Sequence, residues 1–340
     1  MMKFIASDRI DGLLERLGER GPVWAPREPE GAAGTVLFAP WRPGDAVELD
    51  RFTTLSAKKL VLPASEKLLS FSYSLTPEGE ALDITGADQG RGDTVLFGAR
   101  VCDARAFTVL DALLALPPGE SYQDPGYRSR RRNLLVITLA CTAGDAACFC
   151  SSWKEGTAST QGSDLMLYPA GEGYLARSVS PRGEELLALD IWEDSDLEPP
   201  ELAVTDRVPF EALEAKLVGS LFSDLDFWRE LTAKCVSCGY CTYTCPTCYC
   251  FDMYDEMSSS RDGERCRSWD ACMFYLYTLE TSGHNPRPTI AHRYRNRIGH
   301  KFSYYPANQG PVLCTGCGRC IRGCPVGLDI RDVLRAAGER

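Results

Sequence analysis

No run of apolar residues in the chain approaches the roughly 20 that a membrane-spanning helix needs, so no membrane span is expected. The opening stretch, MMKFIASDRIDG, lacks an apolar signal segment with a small-residue cleavage site, which makes a cytoplasmic location the default expectation. An excess of positive charge is also missing. Against 37 Lys and Arg stand 47 Asp and Glu, a formal net charge of −10. That balance argues against nucleic acid as a partner. There is no G-x-G-x-x-G after a strand-like run and no phosphate loop, hence no FAD or NAD site is expected on this chain.

What is present is an ordinary globular composition, 44% hydrophobic and 25% charged, in 340 residues. That length supports one full core and more readily two domains. Cysteine departs from the ordinary. There are 16, none before Cys102, and half of them fall in two short runs. A reducing compartment keeps thiols for metals or chemistry rather than cross-links, and such uneven placement is how ligands are distributed.

Residues 1–215 read as a mixed α/β domain of alternating strands and helices. Ser7 is placed to cap a helix whose inner face is Ile10, Leu13, Leu14 and Leu17. Thr94–Gly98 reads as a buried strand, followed by a helix that Asp103 could cap, facing inward with Phe107, Leu110, Leu113 and Leu114. Asp124-Pro125 starts another helix, and NLLVITLAC is a second buried strand. Strand, helix, strand in that order implies a right-handed crossover with parallel strands. The polar, proline-bearing stretch EDSDLEPPELAVTD reads as a loop or linker. Residues 216–340 are expected to form a mostly helical, loop-rich ferredoxin-type domain.

Its signature is a motif present twice. The first copy is Cys235-x2-Cys238-x2-Cys241-x3-Cys245-Pro246, and the second is Cys314-x2-Cys317-x2-Cys320-x3-Cys324-Pro325. This is the bacterial two-cluster ferredoxin pattern, in which three thiolates wrap one [4Fe–4S] cube and the fourth ligates the other. The expected sets are therefore Cys235, Cys238, Cys241 and Cys324 for one cluster, and Cys314, Cys317, Cys320 and Cys245 for the second. Ser237, Gly239, Gly316 and Gly318 would let backbone N–H groups approach the sulfides. A structural zinc module is the competing class, but zinc prefers two cysteine pairs and would leave the third cysteine of each run surplus.

Between the copies lie 68 residues, 246–313, far more than a compact ferredoxin needs. Cys248, Cys250, Cys266 and Cys272 fall there and read mainly as small hydrophobes of a core. The same insert holds His284, His292 and His300 with Arg287, Arg293, Arg295, Arg297 and Lys301. A solvated helix face is the plainer account of these charges, a docking surface for an acidic partner the sharper one. In the first domain, Cys102 and Cys141 follow the two parallel strands, with Cys148 and Cys150 just beyond. Four thiols would converge at the carboxyl edge of the sheet, where α/β folds place ligands. The alternatives are a third iron–sulfur cluster and reduced cysteines packed in a core.

These residues, with the segments GARVCDARAFTVLD, LLVITLACTAGDAACFCSS, CPTCYCFDMYDE, GERCRSWDACMF and SGHNPRPT, carry a wider resemblance. The chain resembles the iron–sulfur beta subunits of cytosolic NAD(P)-linked hydrogenases (sulfhydrogenases). It is also similar to the dicluster iron–sulfur subunit of anaerobic sulfite reductase. The first ninety residues match only loosely. The resemblance implies an electron-transfer subunit that relays electrons between a partner carrying FAD and NAD(P)H and a catalytic subunit, which holds nickel and iron or sirohaem. Clusters move single electrons and a nicotinamide moves two as hydride, so a flavin partner is required to couple them. Another reading makes the chain an enzyme in its own right, reducing a small molecule at the amino-terminal cysteines.

Overall fold

The computed structural model of the chain describes residues 2–77, 79–87, 92–115, 123–210 and 213–340. Its strands are β1 (Met2–Ala6), β2 (Val23–Arg27), β3 (Leu37–Pro40), β4 (Ser65–Thr76), β5 (Gly79–Gly86) and β6 (Thr94–Arg100). They continue with β7 (Leu134–Leu139), β8 (Leu165–Ala170), β9 (Gly173–Ser178), β10 (Glu193–Ser195), β11 (Phe251–Met257) and β12 (Asp262–Trp269). Eight of them form one sheet in the order β10-β1-β9-β8-β7-β6-β2-β3. Its centre, β2-β6-β7-β8, is parallel and its flanks are antiparallel. The expected crossover is present: β6 pairs in parallel with β7, from Thr94 opposite Leu134 to Arg100 opposite Leu139.

The sequence of β7, LLVITL, explains its place. Every residue is buried, as a central strand covered on both faces requires. Leu135, Ile137 and Leu139 face the helix Ile10–Gly18, whose Ile10, Leu13, Leu14 and Leu17 enter the core. Leu134 and Val136 face the helix Val101–Leu114 through Ala104, Phe107 and Leu110. Two expected caps differ. Ser7 lies in a 3-10 turn, Ser7–Arg9, ahead of the helix, whose N-cap is Arg9 without a side-chain bond. Asp103 sits inside the helix that begins at Val101, so it is free for another role. Asp124 does cap its helix, accepting from the Tyr127 N–H at 2.8 Å, with Pro125 in the first turn.

The second sheet has the order β11-β12-β4-β5, all antiparallel. It crosses the division expected near residue 215, because β4–β5 come from the first segment and β11–β12 from the insert between the cysteine motifs. The carboxyl-terminal part is accordingly not all helix: this hairpin stands beside short helices and long loops. Its core gathers Trp228, Tyr294, Ile298, Phe302, Ile330, Val333 and Leu334 around the cysteine-bearing loops. The helix Ile290–Gly299 is capped by Thr289 and runs on into a π-helical turn, His300–Tyr304. Among the described residues no helix is long and apolar enough to cross a membrane.

Candidate iron–sulfur centres

The two motif loops fold alike. Ser237 and Gly239 in the first have φ of 54° and 74°; Gly316 and Gly318 in the second have φ of 67° and 71°. Left-handed residues alternating with ordinary ones turn successive N–H groups toward one side, a concavity suited to an anion. Ser237 accepts the strain of that conformation as the one non-glycine among the described residues with positive φ. The Ser237 N–H lies 3.5 Å from Cys235 Sγ, and the Leu328 N–H lies 3.2 Å from Cys324 Sγ. A one-turn helix follows each loop, Tyr240–Tyr243 and Arg319–Arg322, carrying Cys241 and Cys320.

The motif thiols line two cavities. One cavity is lined by Cys235, Cys238, Cys241 and Cys324, and a second by Cys245, Cys314, Cys317 and Cys320. Cys320 and Arg297 line both. Among the described residues, no three His, Cys, Asp or Glu side chains close in tightly enough to grip one metal ion. A cubane accepts such spread thiolates because each meets a different iron, so the donor set suits a cluster better than zinc.

The electrostatics point the same way. Arg297 and Lys301, expected on a solvated face, are 3% and 2% exposed, and Lys58 is 3% exposed. Their bonds go to carbonyls, hydroxyls and thiols rather than to carboxylates. Arg297 donates to Cys241 O at 2.9 Å and lies 3.5 Å from Cys248 Sγ. Lys301, on the π-turn, reaches Cys245 Sγ at 3.3 Å and Leu313 O at 2.8 Å. Lys58 donates to the carbonyls of Thr242 and Cys248 at 3.1 and 3.0 Å. Buried charges need opposite charge close by. Here thiolates must supply it, and an anionic thiolate-bound cluster meets the requirement. Burial alone would depress Lys301, but the thiols of Cys245 and Cys248 hold it above its ordinary range. Burial pushes Cys314 up to about 11, with Lys301 pulling it back. A linear reading sets Arg297 and Lys301 on a solvated face or a docking surface and passes over Lys58. The absence of acidic residues at helix spacing around Arg293, Arg297 and Lys301 was the available hint.

Cys102 lies in the first turn of the helix after β6 and Cys141 follows β7, at the ends of adjacent parallel strands. Burial raises the thiols of Cys102, Cys141 and Cys150. Cys148 and Cys150 belong to a loop that abuts the second motif. The loop is clamped there: Phe149 N–H donates to Gly316 O at 2.9 Å, and Arg322 reaches Asp145 at 2.6 Å. A Cβ on Gly316 would lie 2.6 Å from the Cys150 nitrogen, which only glycine avoids. Asp103 pairs with Arg319 at 2.7 Å, both fully buried. Asp103 Oδ1, Arg319 Nη1 and Thr315 Oγ1 are buried without a hydrogen-bond partner. Orphaned polar atoms at this junction suit a bound polar group.

Within the insert, Cys266 sits on β12 opposite Tyr254 and Lys67, as a strand residue. Cys272 belongs to the apolar core with Trp228, Met273 and Tyr294, and Cys250 packs against it, as small hydrophobes do. Cys250, and less strongly Arg297, lower Cys272 to about 6, while Cys272 and burial raise Cys250.

Residues 234–328 match the family described as 4Fe-4S dicluster domain. The chain is also similar to sulfhydrogenase 2 subunit beta of Pyrococcus furiosus, with 30% identity over a 349-residue alignment that covers 98% of this chain and 97% of the relative. No solved structure matches the chain. Two thiol-lined cavities, the dicluster match and likeness along nearly the whole length together show that the chain belongs to the iron–sulfur beta-subunit family of the sulfhydrogenases.

Proposed function

We propose that the chain is the electron-transfer subunit of a hydrogenase complex, relaying electrons between a FAD- and NAD(P)H-binding subunit and a nickel–iron catalytic subunit. Cys235, Cys238, Cys241 and Cys324 would hold one [4Fe–4S] cluster, and Cys314, Cys317, Cys320 and Cys245 the other. The observation that carries this reading is the grouping of eight thiols into two adjacent cavities, each completed by the distant motif. When bound, such clusters supply single-electron carriers whose potentials follow local charge and hydrogen bonds.

The protein's own part is to hold those thiolates, shield them and set the charge around them. Arg297, Lys301 and Lys58 offset thiolate charge without protons moving. Cys238 is the exposed cysteine of the first set, beside the exposed Val236. That face is where a redox partner would dock. Cys102, Cys141, Cys148 and Cys150 would hold a third cluster against Cys317, extending the path toward the opposite side.

The test is anaerobic isolation. Absorption near 400 nm, bleached by dithionite, with co-purification of a nickel–iron subunit and a flavin subunit, is the expected result. A colourless, iron-free chain rejects the reading. Co-purification with a sirohaem subunit instead moves the chain to the sulfite reductase branch.

A further inference from the structure

The second sheet sorts its side chains by chemistry. Its register puts Tyr73 and Leu75 of β4, Leu82 and Ile84 of β5, and Phe251, Met253 and Met257 of β11 on one face. The alternate positions carry Ser72, Asp83, Asp252, Glu256, Asp262 and Glu264 on the other. Such a period-two division is that of a sheet with one face packed and one in water. Here the apolar face is open: its seven large side chains are between 45% and 64% exposed. The face is also flat over β12, because the Phe71 ring lies on Gly263, where a Cβ would sit 2.5 Å from it. Scattered apolar side chains on a surface need no explanation, but a contiguous set marks a contact.

Charge narrows the choice of occupant. On the apolar face Arg265 is held by Asp255 through bonds of 2.8 and 2.9 Å. Arg267, 5.4 Å from the Phe251 ring, is held by Glu66 and Asp124. Glu80 stands at the outer end, opposite Leu75. Two copies of a chain with a net charge of −10 repel each other over most of their surface, and this face is close to neutral. The open edges are acidic, with Glu80 and Asp83 on β5 and Asp252, Asp255 and Glu256 on β11, so joining copies edge to edge would set acid against acid. Seven large side chains, each about half free, leave roughly 700 Å² per copy. Two faces together then bury about 1,400 Å², within the ~1,200–2,000 Å² of specific interfaces.

We propose that the apolar face of the second sheet is the contact between two copies of this chain, packed face to face about a twofold axis. A twofold contact sets one patch against itself, which a flat, neutral, apolar sheet face allows. The dimer does not depend on the electron-transfer reading above.

The experiment is anaerobic sedimentation equilibrium of the iron-loaded full chain over a wide range of protein concentration. The mass should rise from one chain to two, and the dimer should persist in high salt because its contact is apolar. Ile84→Lys sets a charge among the apolar side chains of each face and should weaken association by on the order of a hundredfold or more. Iron content and circular dichroism report its folding, and Leu75→Lys serves where that variant does not fold. Asp83→Lys, on the opposite face, should leave association unchanged. A chain that stays monomeric throughout overturns the proposal, as does a dimer that survives Ile84→Lys or dissociates in salt. A monomeric chain whose Ile84→Lys variant loses a co-purifying subunit also overturns it, and gives the face to that subunit.

Discussion

Arg319 and Asp103 form an ion pair of 2.7 Å with side-chain exposures of 2% and 0%, between residues 216 positions apart. It ties the second cysteine motif to the helix that leaves the parallel sheet. Arg319 also donates to Thr53 O at 3.0 Å and to Thr53 Oγ1 at 2.8 Å. Removing one partner leaves the other charge buried alone. Arg319→Met should therefore cost about 3–5 kcal/mol in anaerobic denaturant unfolding. Arg319→Met with Asp103→Asn should recover much of that loss, since no uncompensated charge remains. A double variant no better than the single one would show that the pair does not couple.

Cys245 belongs by sequence to the first motif and by position to the second cavity. Cys245→Ala should erase the electron paramagnetic resonance signal of the cluster held by Cys314, Cys317 and Cys320, and spare the other. Iron should fall from about eight atoms per chain to about four, or from about twelve to about eight if the amino-terminal group binds a third cluster. If the spared signal belongs to the second motif, the crossed arrangement is wrong.

Arg297 stands between both cavities. Deleting its charge stabilises the more oxidised, less negative clusters. Arg297→Gln should lower both midpoint potentials by roughly 60 mV, a tenfold shift in each one-electron equilibrium. Lys301→Met, beside Cys245 and Cys314, should lower mainly the second. Spectroelectrochemical titration reads both, and unchanged potentials in Arg297→Gln would remove its tuning role.

His300 accounts for one pH effect. Burial first, then Lys301 and Arg297, depress it from 6.5 to about 4. A group depressed on folding is neutral in the native state while the unfolded chain already binds a proton. Its contribution is therefore present above pH 6.5 and is lost as pH falls toward 4. The protein should lose roughly 2–3 kcal/mol across that window on this account. His300→Phe should flatten the slope, measured by unfolding at several pH values; an unaltered slope would assign the effect elsewhere.

The parallel strands and their crossover were legible because β6 and β7 are continuous apolar runs broken by turn residues. The two motif loops were legible because cubane ligation dictates three-residue spacing and small residues at fixed offsets, and Ser237, Gly239, Gly316 and Gly318 all carry the backbone this needs. The topology likewise brought Cys102 and Cys141 toward one edge. The roles of Asp103, Lys58, Arg297 and Lys301 were not legible. Each depends on a partner far along the chain, and local patterning assigns an isolated charge to the surface or to a cap. The pairing of β12 with β4 was hidden for the same reason: strands almost 200 residues apart carry no mark of each other.

The crossed arrangement has a consequence for biogenesis. In the proposed assignment the first cluster would need Cys324, the last cysteine of the second motif, whereas all four thiols of the second are present once Cys320 has been made. A nascent chain that has not yet reached Cys324 would therefore carry one complete nest of thiols and one open one. A polypeptide cut short before Cys324 would keep the second site and lose the first, leaving a conductor with a single terminus.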